Sequence, residues 1–335
     1  MAILSIDQGG TKTASIISDE YGTILGKGIG FGACHFFDGV PRAMEAVLYS
    51  AEKAILQAGI GKEDVKCISA GMAGANWEDE VLLLEGALKK EFRTGDVKVY
   101  NDCLIALRAG TDSHCAGIIC AGTGMNVAIY SNENTVILYN NYIEDSDQGG
   151  SGLGGRAVRA LFLSEMGILP PTGLKDKILK YFEVSNIEGL MRYYRVRQEK
   201  KPAKELCGMI FESADEGDGV ALKIINEFGI SASRYITSGI KKYGLQDREV
   251  KIVISGGVFK AANNLLFETI SNEIKDVAPK ASIINALYEP VVGAMLLALD
   301  IKHHGKLAED ITANCHKSAS ALGLLRKITE YDGIS

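Results

Sequence analysis

A glycine-rich turn between two apolar segments is the feature that most limits how this chain can fold. Residues 2–6 are apolar, the turn runs from Asp7 to Thr13, and a second apolar segment follows at 14–18. A Walker P-loop and a dinucleotide-binding fingerprint each lead from a strand into a helix, whereas this turn leads into a strand. The pattern therefore excludes both motifs and predicts a meander of three strands, with the third at 23–27.

The same order of elements recurs in the second half of the chain. An apolar segment at 116–121 enters the turn Gly122-Thr123-Gly124, and a strand pattern follows at 126–130. The two regions are too different in sequence for a residue-level repeat, so the recurrence indicates two halves with one topology. We expect the active site to lie in a cleft between these halves.

Strands and helices alternate in the first 115 residues. Apolar spacing predicts helices at 41–58 and 78–92, and apolar runs predict strands at 65–70 and 97–100. Such alternation is typical of an α/β domain with a mainly parallel sheet. Later patterns predict a strand at 251–255 and helices at 154–166, 217–241, 262–277 and 291–299.

A chain of 335 residues has the length of two ordinary domains. We predict an N-terminal domain at 1–114, a C-terminal domain at 115–300 and a helical tail at 301–335. The formal net charge of −6 disfavours a nucleic-acid partner. No apolar run reaches the roughly 18 residues of a membrane span and no signal peptide precedes the first strand, so we expect a cytoplasmic protein without a membrane partner. The seven cysteines are scattered, which indicates reduced thiols.

The first turn has the composition of a phosphate-binding loop. Glycines let the backbone approach an anion, hydroxyl and N–H groups can donate to phosphate, and Asp7 at the strand end can hold a hydrated Mg²⁺. The candidate phosphate-binding residues are Asp7, Gly9, Gly10, Thr11, Lys12 and Thr13. A polar β-hairpin turn is the alternative explanation of the same residues.

Two later glycine pairs are weaker signals of the same kind. Gly122, Thr123 and Gly124 occupy the corresponding place in the second half and offer two glycines and a hydroxyl to phosphate. A plain strand–strand turn explains them equally well. Gly256 and Gly257 follow an apolar strand, and with Lys260 they form a segment against which adenine or ribose can lie. Close packing of the backbone is the alternative for this pair.

Together, these three segments resemble the actin-like ATPase superfamily, which includes sugar kinases and heat-shock-protein ATPases. More narrowly, the chain resembles the family of N-acetylglucosamine kinases and of ATPases related to benzoyl-CoA reductase subunits and hydroxyacyl-CoA dehydratase activators. The resemblance runs from residue 3 to about 300 and includes the segments 101–102, 121–126, 147–154 and 289–294. It implies an α/β fold of two actin-like (ribonuclease H-like) domains, with a mixed sheet in each and an ATP cleft between them.

The resemblance also implies a role for Asp102 as the catalytic base. In phosphoryl transfer such a carboxylate orients the acceptor hydroxyl and accepts its proton. From the residues alone, the N-cap of a helix at 103–109 is the alternative explanation of Asp102.

Further residues match positions that hold the sugar in kinases of this family, and the match is imperfect. Gln148 stands where Glu is common, and Cys34 precedes His35 where an Asn is common. A structural histidine is the alternative for His35. The implied sugar-binding residues are His35, Asn101, Asp102, Asn126, Asp147 and Gln148.

The resemblance implies an enzyme that uses ATP and Mg²⁺ to phosphorylate the 6-hydroxyl of an amino sugar. The implied substrate is N-acetylglucosamine or a relative such as N-acetylmuramic acid, and the implied assembly is a homodimer. The alternative is an ATPase that activates a partner enzyme, like the 2-hydroxyacyl-CoA dehydratase activators. Those activators hold an iron–sulfur cluster with two closely spaced cysteines per subunit. Cys103, Cys115 and Cys120 do not match that arrangement, which favours the kinase.

Overall fold

The structure, a computed structural model, describes residues 1–132, 135–196 and 201–326. These residues fall into two compact units. The first unit contains Met1–Ser113 together with the segment that begins at Ile284, and the second contains His114–Ile283.

The regular elements alternate along the described chain. The strands are β1 (Ala2–Gln8), β2 (Lys12–Ser18), β3 (Ile24–Phe31), β4 (Val65–Met72), β5 (Asp96–Asn101), β6 (Ala116–Ala121), β7 (Met125–Asn132), β8 (Thr135–Leu138), β9 (Lys251–Ser255) and β10 (Ser282–Asn285). The α-helices are α1 (His35–Ala58), α2 (Glu78–Phe92), α3 (Asp102–Gly110), α4 (Gly149–Glu165), α5 (Leu174–Phe182), α6 (Ile187–Val196), α7 (Cys207–Asp215), α8 (Gly219–Lys242), α9 (Gly257–Ala261), α10 (Asn264–Lys275), α11 (Pro290–Lys302) and α12 (Glu309–Ala321).

Each unit is built on a mixed sheet of five strands. The order in the first unit is β3-β2-β1-β4-β5, and in the second it is β10-β9-β6-β7-β8. In the first unit β1 is antiparallel to β2 and parallel to β4. In the second unit β6 is antiparallel to β7 and parallel to β9. The two halves therefore share one strand arrangement, as the two glycine turns predicted.

The sheet of the first unit is covered on both faces, because successive side chains of a strand point to opposite sides. Leu4 belongs to a buried cluster with residues of α1 and α2, whereas its neighbour Ile3 belongs to a second cluster with residues of α11 and α12. Both residues are fully buried. The two apolar clusters fix the central strand β1 and hence the turn that follows it.

Several helices differ from their predicted bounds. Helix α1 begins at His35 rather than 41 and is interrupted at Gly39, where φ is 81°. Helix α4 begins at Gly149 rather than 154, because the glycines before the predicted start form its first turn. The predicted helix at 262–277 is α10, and the short α9 precedes it.

The C-terminal part of the chain returns to the first unit. Residues 284–300 were assigned to the second domain, but α11 packs on α3 and on the first sheet. The predicted tail contains α12, and then Leu325 forms an antiparallel bridge with Tyr288. The end of that predicted tail, 327–335, lies outside the described residues. Among the described residues, no helix is both long and apolar enough to cross a bilayer.

Candidate functional site

The first unit gathers its candidate residues at the carboxyl ends of parallel strands. Asp7 of β1 pairs with Gly71 of β4, and the next residue of β4, Met72, pairs with Asn101 of β5. Asp102 then begins α3. Ligands of open α/β sheets bind at this edge, so the topology brings the predicted metal ligand and the predicted base to one place.

The turn after β1 exposes part of the predicted phosphate-binding set. The Gly9 N–H donates to the Lys12 carbonyl at 2.9 Å, and this bond closes the turn. Thr11 and Lys12 are exposed, whereas Thr13 is fully buried and its hydroxyl has no hydrogen-bond partner among the described residues. A phosphate at the turn would therefore meet the side chains of Thr11 and Lys12 first.

Glycines around this turn have two different explanations. A Cβ added to Gly10 would meet nothing within 4 Å, so the protein's own packing does not require a glycine there. In contrast, a Cβ added to Gly32 would collide with the backbone of Gly10 and Thr11. Gly32 thus allows the backbone to pack closely against the turn, while the space beside Gly10 is open to a ligand.

Two carboxyl groups at this edge titrate well above their ordinary range. Burial raises the pKa of the Asp7 carboxyl to about 7, and the charge of Asp102 is the next largest cause. Burial also raises the pKa of the Asp102 carboxyl to about 6. Hydrogen bonds from the backbone N–H groups of Cys103 and Asp102 oppose this shift, because they stabilise the ionised form. Carboxyl groups perturbed in this way are typical of functional sites.

A chain of opposite charges lies beside Asp7. Lys12 Nζ is 3.7 Å from Glu289 Oε2, and Arg326 Nε is 3.5 Å from Glu289 Oε1. Arg326 is brought there by the backbone pairing of Tyr288 with Leu325. Glu289 stood within a family segment of the sequence, but nothing in the sequence singled out Arg326 for this site.

Asn101 and the helix behind it position Asp102. The Asn101 side chain accepts the Cys103 N–H at 3.0 Å, so Asn101 is the N-cap of α3. The alternative prediction, that Asp102 is this cap, is wrong, because Asp102 is already the first helical residue. Gly293 of α11 lies so close to α3 that a Cβ would collide with the Ile105 carbonyl. This close packing of two helices holds Asp102 at the sheet edge.

His35 lies in a buried position at the start of α1. Its Nε2 is 3.7 Å from Glu80 Oε1, and neither ring nitrogen has a hydrogen-bond partner among the described residues. Glu80 is already engaged, because it accepts the N–H groups of Asn76 and Trp77. His35 therefore retains hydrogen-bonding capacity for a further polar group.

In the second unit, the turn after β6 is joined to the start of α4. The Gly150 N–H donates to the Gly122 carbonyl at 2.8 Å, and the Ser151 N–H donates to the Thr123 carbonyl at 2.9 Å. Gly149 has a φ of 29°, and a Cβ there would collide with the Gly124 carbonyl. At Gly122, however, an added Cβ would meet nothing within 4 Å. This turn repeats the pattern of a supported loop with one open glycine.

The predicted sugar-binding pair before α4 makes contacts within its own unit. Asp147 is buried, with its carboxylate 2.6 Å from Arg156 and 3.1 Å from the Tyr235 hydroxyl. The Gln148 side chain accepts the Met125 N–H at 2.9 Å. These partners were not predicted, because Arg156 lies nine residues away within α4 and Tyr235 lies on α8, distant in sequence. The structure therefore shows both side chains shaping the turn.

The remaining candidates of the second unit lie on its central strands. Asn126 is buried in β7, where it pairs with Cys120 of β6. Gly256 has a φ of 107°, and a Cβ there would collide with Ala121, so close packing accounts for this glycine. Its neighbour Gly257 is open within 4 Å, and Lys260 lies on the short helix α9.

The donor set suits a magnesium ion that keeps most of its water. No group of three or more His, Cys, Asp or Glu side chains that could enclose a metal occurs among the described residues. Mg²⁺ is usually held by one or two carboxylates together with substrate phosphates and water. Asp7, a residue of intermediate exposure beside the open turn, meets that requirement with its one carboxylate.

Two sheets of one topology, each with a glycine turn between its antiparallel strands, define the class of actin-like α/β ATPases. The BadF/BadG/BcrA/BcrD ATPase family matches residues 4–298, which is most of the chain. The chain belongs to this family, and its use of ATP follows from that membership. The predicted family and the predicted fold of two actin-like domains with mixed sheets are confirmed.

The chain is also similar to individual sugar kinases over nearly their whole length. It is 26% identical over 314 residues to an N-acetyl-D-glucosamine kinase from Dictyostelium discoideum, covering 89% of this chain and 98% of that protein. It is 24% identical over 305 residues to an N-acetylmuramic acid/N-acetylglucosamine kinase from Clostridium acetobutylicum, covering 88% of this chain and 97% of that protein. The fold matches that of a ROK family glucokinase from Streptomyces griseus, solved with glucose and AMPPNP, with a TM-score of 0.61, 17% identity and coverage of 89% and 99%.

Proposed function

We propose that this protein is an ATP-dependent sugar kinase that phosphorylates an amino sugar, N-acetylglucosamine or a relative such as N-acetylmuramic acid, at its 6-hydroxyl. The observation that carries the proposal is the similarity to two amino-sugar kinases over 98% and 97% of their lengths. The ATPase alternative, activation of a partner enzyme, has no comparable support.

Asp102 is the proposed catalytic base. With a pKa raised to about 6, its carboxyl is mostly ionised at neutral pH and is more basic than an ordinary aspartate. The proposed step is acceptance of the proton from the sugar hydroxyl as that oxygen bonds to the γ-phosphorus of ATP and ADP leaves. Because α11 packs tightly on α3, the carboxylate is held in place before the substrate arrives.

The phosphates of ATP are assigned to the two open turns. In the first unit the proposed contacts are the N–H groups and side chains of Gly9, Gly10, Thr11, Lys12 and Thr13. In the second unit they are those of Gly122, Thr123 and Gly124, with Gly256, Gly257 and Lys260 near adenosine. The open surfaces beside Gly10, Gly122 and Gly257 support this assignment.

Asp7 is the proposed Mg²⁺ ligand, through water. Bound there, the ion would neutralise charge on the phosphates of ATP. We assign a second positive charge at the phosphates to Lys12, whose Nζ lies 3.7 Å from Glu289 Oε2.

His35, Asn101, Asn126, Asp147 and Gln148 remain the proposed sugar-binding set. The unused ring nitrogens of His35 support a direct contact. Asp147 and Gln148 already have hydrogen-bond partners within the protein. Their main proposed role is therefore to fix the shape of the loop that would contact the sugar. The predicted homodimer and the predicted cytoplasmic location stay predictions.

A panel of sugars tests this function. Purified protein should release ADP from ATP faster when N-acetylglucosamine or N-acetylmuramic acid is added, with glucosamine and glucose as comparison substrates. ADP release is measured with a coupled assay in the presence and absence of Mg²⁺. A steady ADP release that no sugar stimulates would favour the ATPase alternative instead.

A further inference from the structure

We propose that Lys204 is a phosphate-binding residue of the second glycine turn. The inference rests on the proposed function and extends it, because the sequence supplied no cation for this turn. The first turn carries Lys12 within its own sequence, whereas Gly122-Thr123-Gly124 contains no charged side chain. The fold supplies one from a segment about 80 residues away.

The contact that carries the inference is a hydrogen bond from Lys204 to the turn itself. Lys204 Nζ donates to Thr123 Oγ1 at 3.2 Å. The acceptor is a neutral hydroxyl, so the positive charge is not compensated by this partner. An ammonium group has three donors, and this bond uses one of them. Lys204 is also partly exposed, which leaves its remaining donors open to an anion.

Nearby lysines of the same unit have different partners. Lys201 lies 2.8 Å from Glu183, and Lys177 contacts Glu212 and Glu216 at 3.4 and 3.0 Å. Those lysines form ordinary surface ion pairs, whose contribution to stability is small. Lys204 differs because its Nζ donates to Thr123, a proposed phosphate ligand, rather than to a carboxylate.

The backbone around Lys204 is fixed against α4. Ala203 packs so closely on Gly154 that a Cβ on the glycine would collide with the Ala203 carbonyl. Cys207 Sγ lies 3.6 Å from the Gly150 carbonyl, and Leu206 is fully buried. The backbone of Lys204 therefore packs on α4, the helix that also contacts the turn. Little conformational entropy of this backbone is lost when an anion binds.

The immediate surroundings favour an anion. The 17-residue helix α4 begins beside the turn, and a helix N-terminus carries partial positive charge. Asp147, the buried carboxylate before α4, is paired with Arg156 at 2.6 Å. Gly122 leaves open space beside the backbone, where a phosphate oxygen could approach. The Lys204 ammonium group, the N-terminus of α4 and the open space at Gly122 thus lie at the same turn.

Nucleotide binding by Lys204→Gln tests the inference, with Lys201→Gln as the matched control. Both changes remove one positive charge from the same segment. Isothermal titration should show that Lys204→Gln weakens ATP binding by about 10- to 100-fold, the effect of losing a charge-assisted hydrogen bond. Adenosine, which has no phosphate, should bind equally to the variant and to the wild type. Lys204→Arg should retain most of the ATP affinity, and Lys201→Gln should match the wild type.

Each other outcome contradicts the inference in a distinguishable way. Unchanged ATP affinity in Lys204→Gln, in a protein whose wild type binds ATP and phosphorylates sugar, would remove Lys204 from the site and leave the proposed function standing. Equal losses for ATP and adenosine would show a structural role. A wild-type protein that binds no ATP would overturn both proposals together.

Discussion

At the scale of single residues, the chemistry centres on two carboxyl groups with raised pKa values. Asp7 lies near the end of β1 and Asp102 directly follows β5, with β4 between these two strands. Burial is the main cause that raises the pKa of each carboxyl. The sequence predicted both residues as functional, because each ends an apolar strand in a family segment. It could not predict Glu289 and Arg326 beside them, because those contacts depend on how the C-terminal part of the chain folds back.

Replacing Asp102 by Asn should separate chemistry from binding. The amide keeps the shape of the side chain but cannot accept the proton, so sugar-dependent turnover should fall by about 100-fold or more. ATP affinity should change little, because Asp102 is not a proposed phosphate ligand. Steady-state kinetics and titration with ATP measure the two effects, and Asp96→Asn, at the exposed start of β5, is a matched control. An equal loss of both properties would speak against the assignment as the base.

The pH dependence follows from the same pKa values. Activity should fall below about pH 6, where the Asp102 carboxyl becomes protonated. Stability should change in the opposite direction. Since the folded state holds this proton more tightly than the unfolded state, the free energy of unfolding falls as pH rises from about 4 to about 6. The Asp102→Asn variant should not show this loss of stability, because an amide does not ionise in this pH range.

Thermal unfolding of Asp102→Asn checks the sign of this linkage. The variant should gain several degrees in Tm relative to the wild type at pH 8 and much less at pH 4, where the wild-type carboxyl is protonated. A variant that is less stable than the wild type at pH 8 would show that the ionised carboxylate stabilises the fold, contrary to the raised pKa.

At the scale of elements, the two turns show which glycines serve the fold and which face a ligand. The sequence identified the turns. It could not show which glycines are required by packing and which face open space, because that depends on backbone segments that are distant in sequence and close in space. Gly32 and Gly149 are required by neighbouring backbone, whereas Gly10 and Gly122 have open surroundings. The start of α4 was missed because its first turn is built from glycines, which are poor helix formers. The start of α1 was missed because the helix is interrupted at Gly39, just before the predicted start at 41.

A pair of alanine substitutions tests this division. Gly10→Ala should leave the free energy of unfolding within about 0.5 kcal/mol of the wild type, as for other open surface sites. It should still weaken ATP binding, because the added methyl group occupies the surface of the turn. Gly32→Ala should destabilise the protein by about 1–3 kcal/mol or more, since it forces atoms into occupied space. Chemical denaturation and ATP titration give both quantities. If Gly10→Ala unfolds as readily as Gly32→Ala, the proposed division is incorrect.

At the scale of the whole molecule, the recurrence of strand, glycine turn and strand was enough to predict two related α/β domains. Both sheets contain the predicted pair of strands joined by a glycine turn, with a parallel strand beside the pair. The return of the chain to the first unit from Ile284 was not predicted, since an apolar helix pattern at 291–299 does not say which sheet it covers. The packing of α11 on α3 settles that point.

The central claim is that this family member transfers a phosphoryl group from ATP to an amino sugar. Its most direct test is the product formed when the purified protein is incubated with ATP, Mg²⁺ and N-acetylglucosamine or N-acetylmuramic acid. Phosphorus NMR and mass spectrometry should detect one sugar 6-phosphate for each ADP formed. ADP and inorganic phosphate without any phosphorylated sugar would contradict the claim.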